Sequence, residues 1–168
     1  DYGAYKFDRK TEQFTFYQNS SNNPNSIQTG KITTIYRDSD DKIWFGSNKD
    51  VVSYFDELTG NFVHFRENKN SANSLSSNNI ISISEDKYGN YWFGSANNGL
   101  TKFDFANKTF KNYTINDGLP NNVIYGIQED DNECLWLSTN NGLSKFDLKL
   151  EEFTNYSIDD GLTNMEFN

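Results

Sequence analysis

The sequence predicts an all-β fold, a β-propeller fragment of about three and a half four-stranded blades. Three observations lead there. Tryptophans stand at 44, 92 and 136, spaced 48 and 44 residues apart, the period of a four-stranded blade. Aromatic residues make up 16% of the chain and proline only 2 of its 168 positions. Phe, Tyr, Ile and Thr fall in short runs between Asn, Asp, Gly and Ser clusters, which is strand and turn chemistry. Alternation such as Phe62 and His64 against Val63 and Phe65 has period two, and no stretch sustains the 3.6 period of an amphipathic helix.

The elements follow in chain order. Residues 1–30 read as the last two strands of a blade plus a connector, with Phe7-Asp8, Phe14 and Tyr17 in register with later copies. Residues 31–79 form the first complete blade, as ITTIYRD, KIWFGS, VVSYFD and NFVHFRE; residues 80–122 form the second. Residues 123–168 form the third, with a connector towards a following blade. Ahead of each Trp lie Ile32, Ile35 and Asp38, then Ile80, Ile83 and Asp86, then Ile124, Ile127 and Asp130. After it come Phe55, Phe103 and Phe146, each followed by Asp, then Phe62, Phe110 and Phe153, then Phe65, Tyr113 and Tyr156. Propellers close with four to eight blades, so this chain is expected to be part of a larger ring or to be completed by a second copy.

The formal charge of -9 and pI near 4.5 argue against nucleic acid and anionic membrane as partners, which require a cationic face. No apolar run approaches the length that spans a bilayer, and DYGAYKFDRK is not a signal peptide. Membrane attachment is therefore expected only through segments outside these residues. The single Cys134 cannot form an internal disulfide; it shares the Trp136 side of its strand and is expected to be buried and inert.

Position by position, the repeated residues read as scaffold. Trp44, Trp92 and Trp136, with Phe55, Phe103 and Phe146, are expected to pack blade against blade. The acids Asp38, Asp40, Asp41, Asp130 and Asp131 fall in the turn between first and second strands, and they lack the Gly and Glu spacing of a calcium loop. His64 is the only histidine and has no catalytic or metal-binding companions. No catalytic residue, metal or cofactor is expected. Recognition is expected where the copies disagree, in the unequal connectors 19–30, 67–79 and 114–122 and in the turns SNKD, SANNG and STNNG. The candidate ligand contacts are Lys49, Asp50, Asn78, Asn79, Asn121 and Asn122, with Tyr36 or Tyr125 nearer the channel. Amides and hydroxyls on a concave face suit sugar hydroxyls.

The run Asn78–Tyr113, NNIISISEDKYGNYWFGSANNGLTKFDFANKTFKNY, resembles the two-component regulator propeller repeat, in which an acid, a turn, Trp-Gly, Asn-Gly-Leu and Phe-Asp follow in order. DGLPNN at 117–122 and DGLTNMEFN at 160–168 resemble the connectors between its blades. Ser138 stands where Gly46 and Gly94 stand, and Asp50-Val51 replaces the Gly-Leu of the other two copies. The resemblance implies a seven-bladed ring in the periplasmic or extracellular part of a bacterial sensor that also carries a sandwich-like domain and an intracellular histidine kinase. It implies a non-catalytic module sensing an oligosaccharide or similar nutrient. A protein-interaction platform and a propeller lyase or glycosidase are the alternatives.

Overall fold

The computed structural model describes residues 3–28, 30–49, 51–68 and 70–167. Fourteen strands form one two-stranded and three four-stranded antiparallel sheets, each in chain order. The short sheet pairs β1 (Gly3–Asp8) with β2 (Gln13–Gln18). The next blade holds β3 (Ile32–Arg37), β4 (Ile43–Ser47), β5 (Val51–Asp56) and β6 (Asn61–Arg66). The middle blade holds β7 (Ile80–Glu85), β8 (Asn90–Ser95), β9 (Leu100–Asp104) and β10 (Thr109–Tyr113). The last holds β11 (Ile124–Glu129), β12 (Cys134–Thr139), β13 (Gly142–Asp147) and β14 (Glu152–Tyr156). First strands sit side by side, β3 against β7 and β7 against β11, which marks them as the inner strands of radially arranged sheets. The only helical pieces among the described residues are single 3-10 turns at Ile115–Asp117 and Ile158–Asp160, each closed by a reciprocal Thr–Asp or Ser–Asp capping box.

The acid placed six residues before each Trp has a definite task. Trp44 Nε1 donates to Asp38 Oδ2 at 2.8 Å, Trp92 Nε1 to Asp86 Oδ2 at 2.8 Å, and Trp136 Nε1 to Asp130 Oδ2 at 2.9 Å. The other carboxylate oxygen accepts backbone N–H groups of the intervening turn, from Asp40 and Lys42, from Tyr88 and Asn90, and from Asn132 and Cys134. One carboxylate thus closes the turn and fixes the indole plane, satisfying a donor that would be costly to bury unpaired. These acids serve the turn, as the sequence predicts, and they also hold the tryptophan.

The oriented indole then fills the gap between blades. Trp44 is fully buried against Tyr91 and Phe93 of the next blade, with ring centroids 4.2 and 5.9 Å away. Tyr91 also reaches back, its hydroxyl donating to Asp38 Oδ2 at 2.6 Å. Trp92 is likewise buried, in a cluster with Leu135, Leu137 and Phe146. Trp136 departs from the expected blade-to-blade packing. It stacks on Tyr156 of its own blade and is only half-buried, because no described strand follows on that side. Phe103 and Phe146 are fully buried as expected, whereas Phe55 is half-buried beside Tyr17 and Phe62, where only two strands precede it.

The displaced glycine of the last blade has a packing explanation. Cross-strand partners are Thr34 with Gly46, Ser82 with Gly94, and Gly126 with Ser138. A Cβ on Gly94 would stand 2.1 Å from Ser82 Oγ and 2.8 Å from Ile124 O. One member of each pair must lack a side chain, and in the last blade the two have exchanged roles.

Two outcomes are expected in urea unfolding. Asp38→Ala orphans an indole N–H, a phenol and two backbone donors, and should cost about 3 kcal/mol. Gly94→Ala overpacks a blade junction and should cost about 2 kcal/mol, while Ser138→Gly should cost less than 1 kcal/mol or so. The Asp38 contribution also carries a pH signature. Burial alone would raise its pKa, but the hydrogen bonds from Tyr91 and Trp44 outweigh burial and hold it below the ordinary 3.8. A depressed carboxylate stabilises fully above that ordinary value and loses its effect as pH falls through the folded-state value. Wild-type stability should therefore fall more steeply than that of Asp38→Asn as pH drops below about 4.

Candidate functional site

Chain direction alternates along each blade, so connectors into first strands and the second-to-third strand turns emerge on one face. This face is knitted by backbone and amide bonds. Asn48 and Lys31 bond reciprocally, with Asn48 N on Lys31 O at 3.1 Å and Lys31 N on Asn48 Oδ1 at 3.0 Å. In the middle blade the turn 96–99 is held between two connectors: Ala96 N donates to Asn79 O at 3.0 Å and Gly99 N to Asn122 O at 2.8 Å. Gly99 is required here, since its φ is +78° and a Cβ would stand 2.1 Å from Tyr113 O.

The structure brings Asn79 and Asn122 together on either side of one turn. Asn121 and Asn122 are oriented through their carbonyl oxygens, Asn121 Oδ1 accepting Val123 N at 2.8 Å and Asn122 Oδ1 accepting Ile115 N at 3.0 Å. Their Nδ2 groups, and the whole side-chain amide of Asn79, make no hydrogen bond to a described residue, and all three residues are half-buried. Donors fixed by their own oxygens suit an external acceptor.

Other candidates are placed differently. Both ends of the Asn78 amide are engaged by Glu67, through its N–H at 3.0 Å and its Oε2 at 3.1 Å, so Asn78 clamps a connector. Lys49 is exposed at the edge of the same face, one blade away. Asp50 lies outside the described residues. Tyr125 sits at a β-bulge beginning β11, at the connector end of that inner strand. Tyr36 lies near the other end of β3, where its hydroxyl accepts Glu85 N at 3.2 Å, so it belongs to the opposite face.

Residues that the sequence reading passed over also build the face. Asn98 Nδ2 donates to Ser76 O at 2.5 Å, and its counterpart Asn141 Nδ2 donates to Pro120 O at 3.2 Å. Asn112 and Asn155 donate to Ser74 O and Gly118 O from the outer strands. The signal was present in the doubled Asn-Asn of SANNG and STNNG. His64 stands where Asn112 and Asn155 stand in the other blades, and its Nδ1 meets the side chain of Gln28 in the first connector. Burial lowers its pKa below 6.5, with the Arg66 charge adding to the effect. It ties an outer strand to the first connector.

The opposite face carries Asp38, Asp86 and Asp130 with Glu85, Glu129 and Glu133. Glu85 accepts Ser39 N and Oγ, Glu129 accepts Lys87 N, and Glu133 binds Tyr88, Lys149 and Lys87, whose charges and hydrogen bonds pull its pKa down to about 2. These acids tie one blade's turn to the next. Among the described residues no group of three metal-ligating side chains occurs. Cys134 is buried, and burial raises its pKa, which keeps it a thiol.

The division between clamp and open donor gives a stability test. Asn78→Ala should cost about 1 kcal/mol by losing the Glu67 backbone bond, whereas Asn79→Ala should leave the chemical-denaturation midpoint unchanged.

Three segments, residues 26–49, 74–97 and 118–141, match the two component regulator propeller. Each begins in or at the edge of a connector and reaches the turn after the Trp strand. No curated protein sequence matches the chain. Among solved structures, the extracellular domain of BT3049 from B. thetaiotaomicron, assigned as a hybrid two component system, aligns with a TM-score of 0.76 at 26% identity. It is covered over 20% of its length by 88% of this chain. The extracellular domain of BT4673 from the same organism, likewise assigned, aligns at 0.74 and 21% identity, over 91% of this chain and 21% of that one. Virginiamycin B lyase from Staphylococcus aureus aligns at 0.68 and 19% identity, over 95% of this chain and 50% of that one, a likeness of fold. The chain thus spans about a fifth of the length of the two extracellular domains it resembles. No described helix is long and apolar enough to cross a membrane.

Proposed function

The chain carries the two component regulator propeller repeat three times over, and from that premise we propose that it is part of the ligand-sensing propeller of a periplasmic or extracellular sensor. In this reading the connector face binds a neutral, hydroxyl-rich ligand such as an oligosaccharide, and the signal passes to a histidine kinase elsewhere in the protein. The observation that carries the ligand class is the set of amide donors at Asn79, Asn121 and Asn122, anchored by their backbones or their own oxygens and left open on one face. Sugar hydroxyls accept from such donors without bringing a charge, and the chain's net charge of -9 disfavours an anionic ligand.

The propeller scaffold explains how the site is held rigid. Asn79 and Asn122 hang from one turn, tied to one connector through Ala96 and to the other through Gly99, so their spacing is set by the blade and not by loop motion. Ligand binding shifts a receptor equilibrium only if the ligand favours one receptor state, which requires the rest of the sensor. The chain itself acts by binding, and a non-catalytic role is part of this proposal. Neutral oligosaccharides should bind the complete extracellular region in calorimetric titration. An Asn79→Ala variant should lose at least about tenfold in affinity, 1.4 kcal/mol, at unchanged thermal midpoint. Failure of every glycan, with a protein co-purifying in constant ratio, would favour the interaction-platform reading.

A further inference from the structure

A cavity of about 690 Å³ lies between the β1–β2 pair and the blade that follows. Its walls reproduce an environment found one blade later, around Trp44. That indole is surrounded by Tyr54 and Phe65 of its own blade and by Tyr91, Phe93 and Phe105 of the next, with centroids 4.2 to 6.1 Å away. Moving each position back by one repeat gives Lys6, Tyr17, Ile43, Phe45 and Glu57. All five line the cavity. The chain has only three tryptophans, and none belongs to this register.

Three further observations agree. Lys6 Nζ bonds Glu57 Oε1 at 2.8 Å, taking the place of the Tyr54–Phe105 contact at the next junction, so the outer part of this blade junction is already made. Ile35 is 61% exposed, while its counterpart Ile83, covered by the preceding blade, is 7% exposed. The outer edge of β1 is paired with β2, but its inner edge pairs with no described strand, unlike the corresponding β5, β9 and β13. A Cβ on Gly3 would stand 2.3 Å from Tyr17 O, as one on Gly99 would from Tyr113 O at 2.1 Å and on Gly142 from Tyr156 O at 2.0 Å. Gly3 thus makes, at the start of β1, the same close approach to the neighbouring strand that Gly99 and Gly142 make in the later blades.

We infer that this cavity is a tryptophan socket, and that its occupant is an inner two-stranded hairpin of the same repeat, joined to the start of β1. The hairpin adds antiparallel to the free edge of β1, inserts its indole between Tyr17 and Phe45, and covers Ile35. A second copy of the chain does not meet this need within a regular ring, since it brings another outer hairpin and no inner one. A small apolar ligand would fill the volume but leave the strand edge unpaired.

The test grafts a copy of residues 31–48 ahead of Asp1, which places the copied tryptophan in the socket register. The grafted protein should melt at least about 5 °C above the ungrafted chain. Trp44→Ala within the grafted copy should return most of that gain, and Ile35→Asp at the original position should be silent without the graft and destabilising with it. A second arm needs no fusion: a peptide of residues 31–48 titrated onto the unmodified chain should show blue-shifted tryptophan emission that Ile35→Asp abolishes. Equal midpoints for the Trp and Ala grafts, together with no emission shift in the peptide arm, would overturn the inference. So would an unmodified chain that sediments as a dimer dissociated by Ile35→Asp, since a second copy would then occupy the socket.

Discussion

A buried indole must satisfy its single N–H, and in this fold that requirement organises everything around it. The carboxylate six residues upstream takes the N–H, and its second oxygen gathers the backbone donors of the turn between. The tryptophan therefore cannot rotate away from the plane in which it meets the next blade, and blade junctions inherit a fixed geometry. At the Trp44 junction the same carboxylate also receives Tyr91 from across the gap, so one buried Asp serves a turn, an indole and a neighbouring sheet. At the Trp92 junction no tyrosine is available, because Leu135 holds that position, and Asn90 Nδ2 supplies the additional bond to Asp86 from within the blade.

The proposed binding site lies on a part of the molecule this arrangement leaves free. The strands of the middle blade are committed to packing, and the acid-rich turns on one face are committed to tying blades together through Glu85, Glu129 and Glu133. The connector face combines a rigid base with amide groups whose hydrogen-bonding capacity is not used up. There, loops of unequal length are each stitched to a second-to-third strand turn, so variation in sequence is tolerated without loss of position.

Much of this was legible in the sequence because a repeat shows each constraint several times. Trp44, Trp92 and Trp136 set the period, and Phe-Asp after each third strand marked turns whose Asp side chains do cap the following backbone. What escaped was of two kinds. Contacts between blades were invisible where the two partners belong to different copies, as with Tyr91 on Asp38 or Lys6 on Glu57, since nothing in linear spacing joins them. Exchanges within a pair were visible only as apparent departures, such as Ser138 for glycine, until the opposing Gly126 supplied the reason. Tyr36 shows a third limit: alternation tells which side of a strand a residue faces, but not which end of the blade it serves.

The central claim is that a single carboxylate couples two blades through the indole it orients. A double-mutant cycle between Asp38→Asn and Tyr91→Phe, measured by urea unfolding, addresses it most directly, because the two residues lie in different sheets and meet only at Asp38 Oδ2. The account predicts a coupling of about 1 to 2 kcal/mol. Additive effects, with coupling within about 0.3 kcal/mol of zero, would contradict it and reduce the blade junction to apolar packing alone.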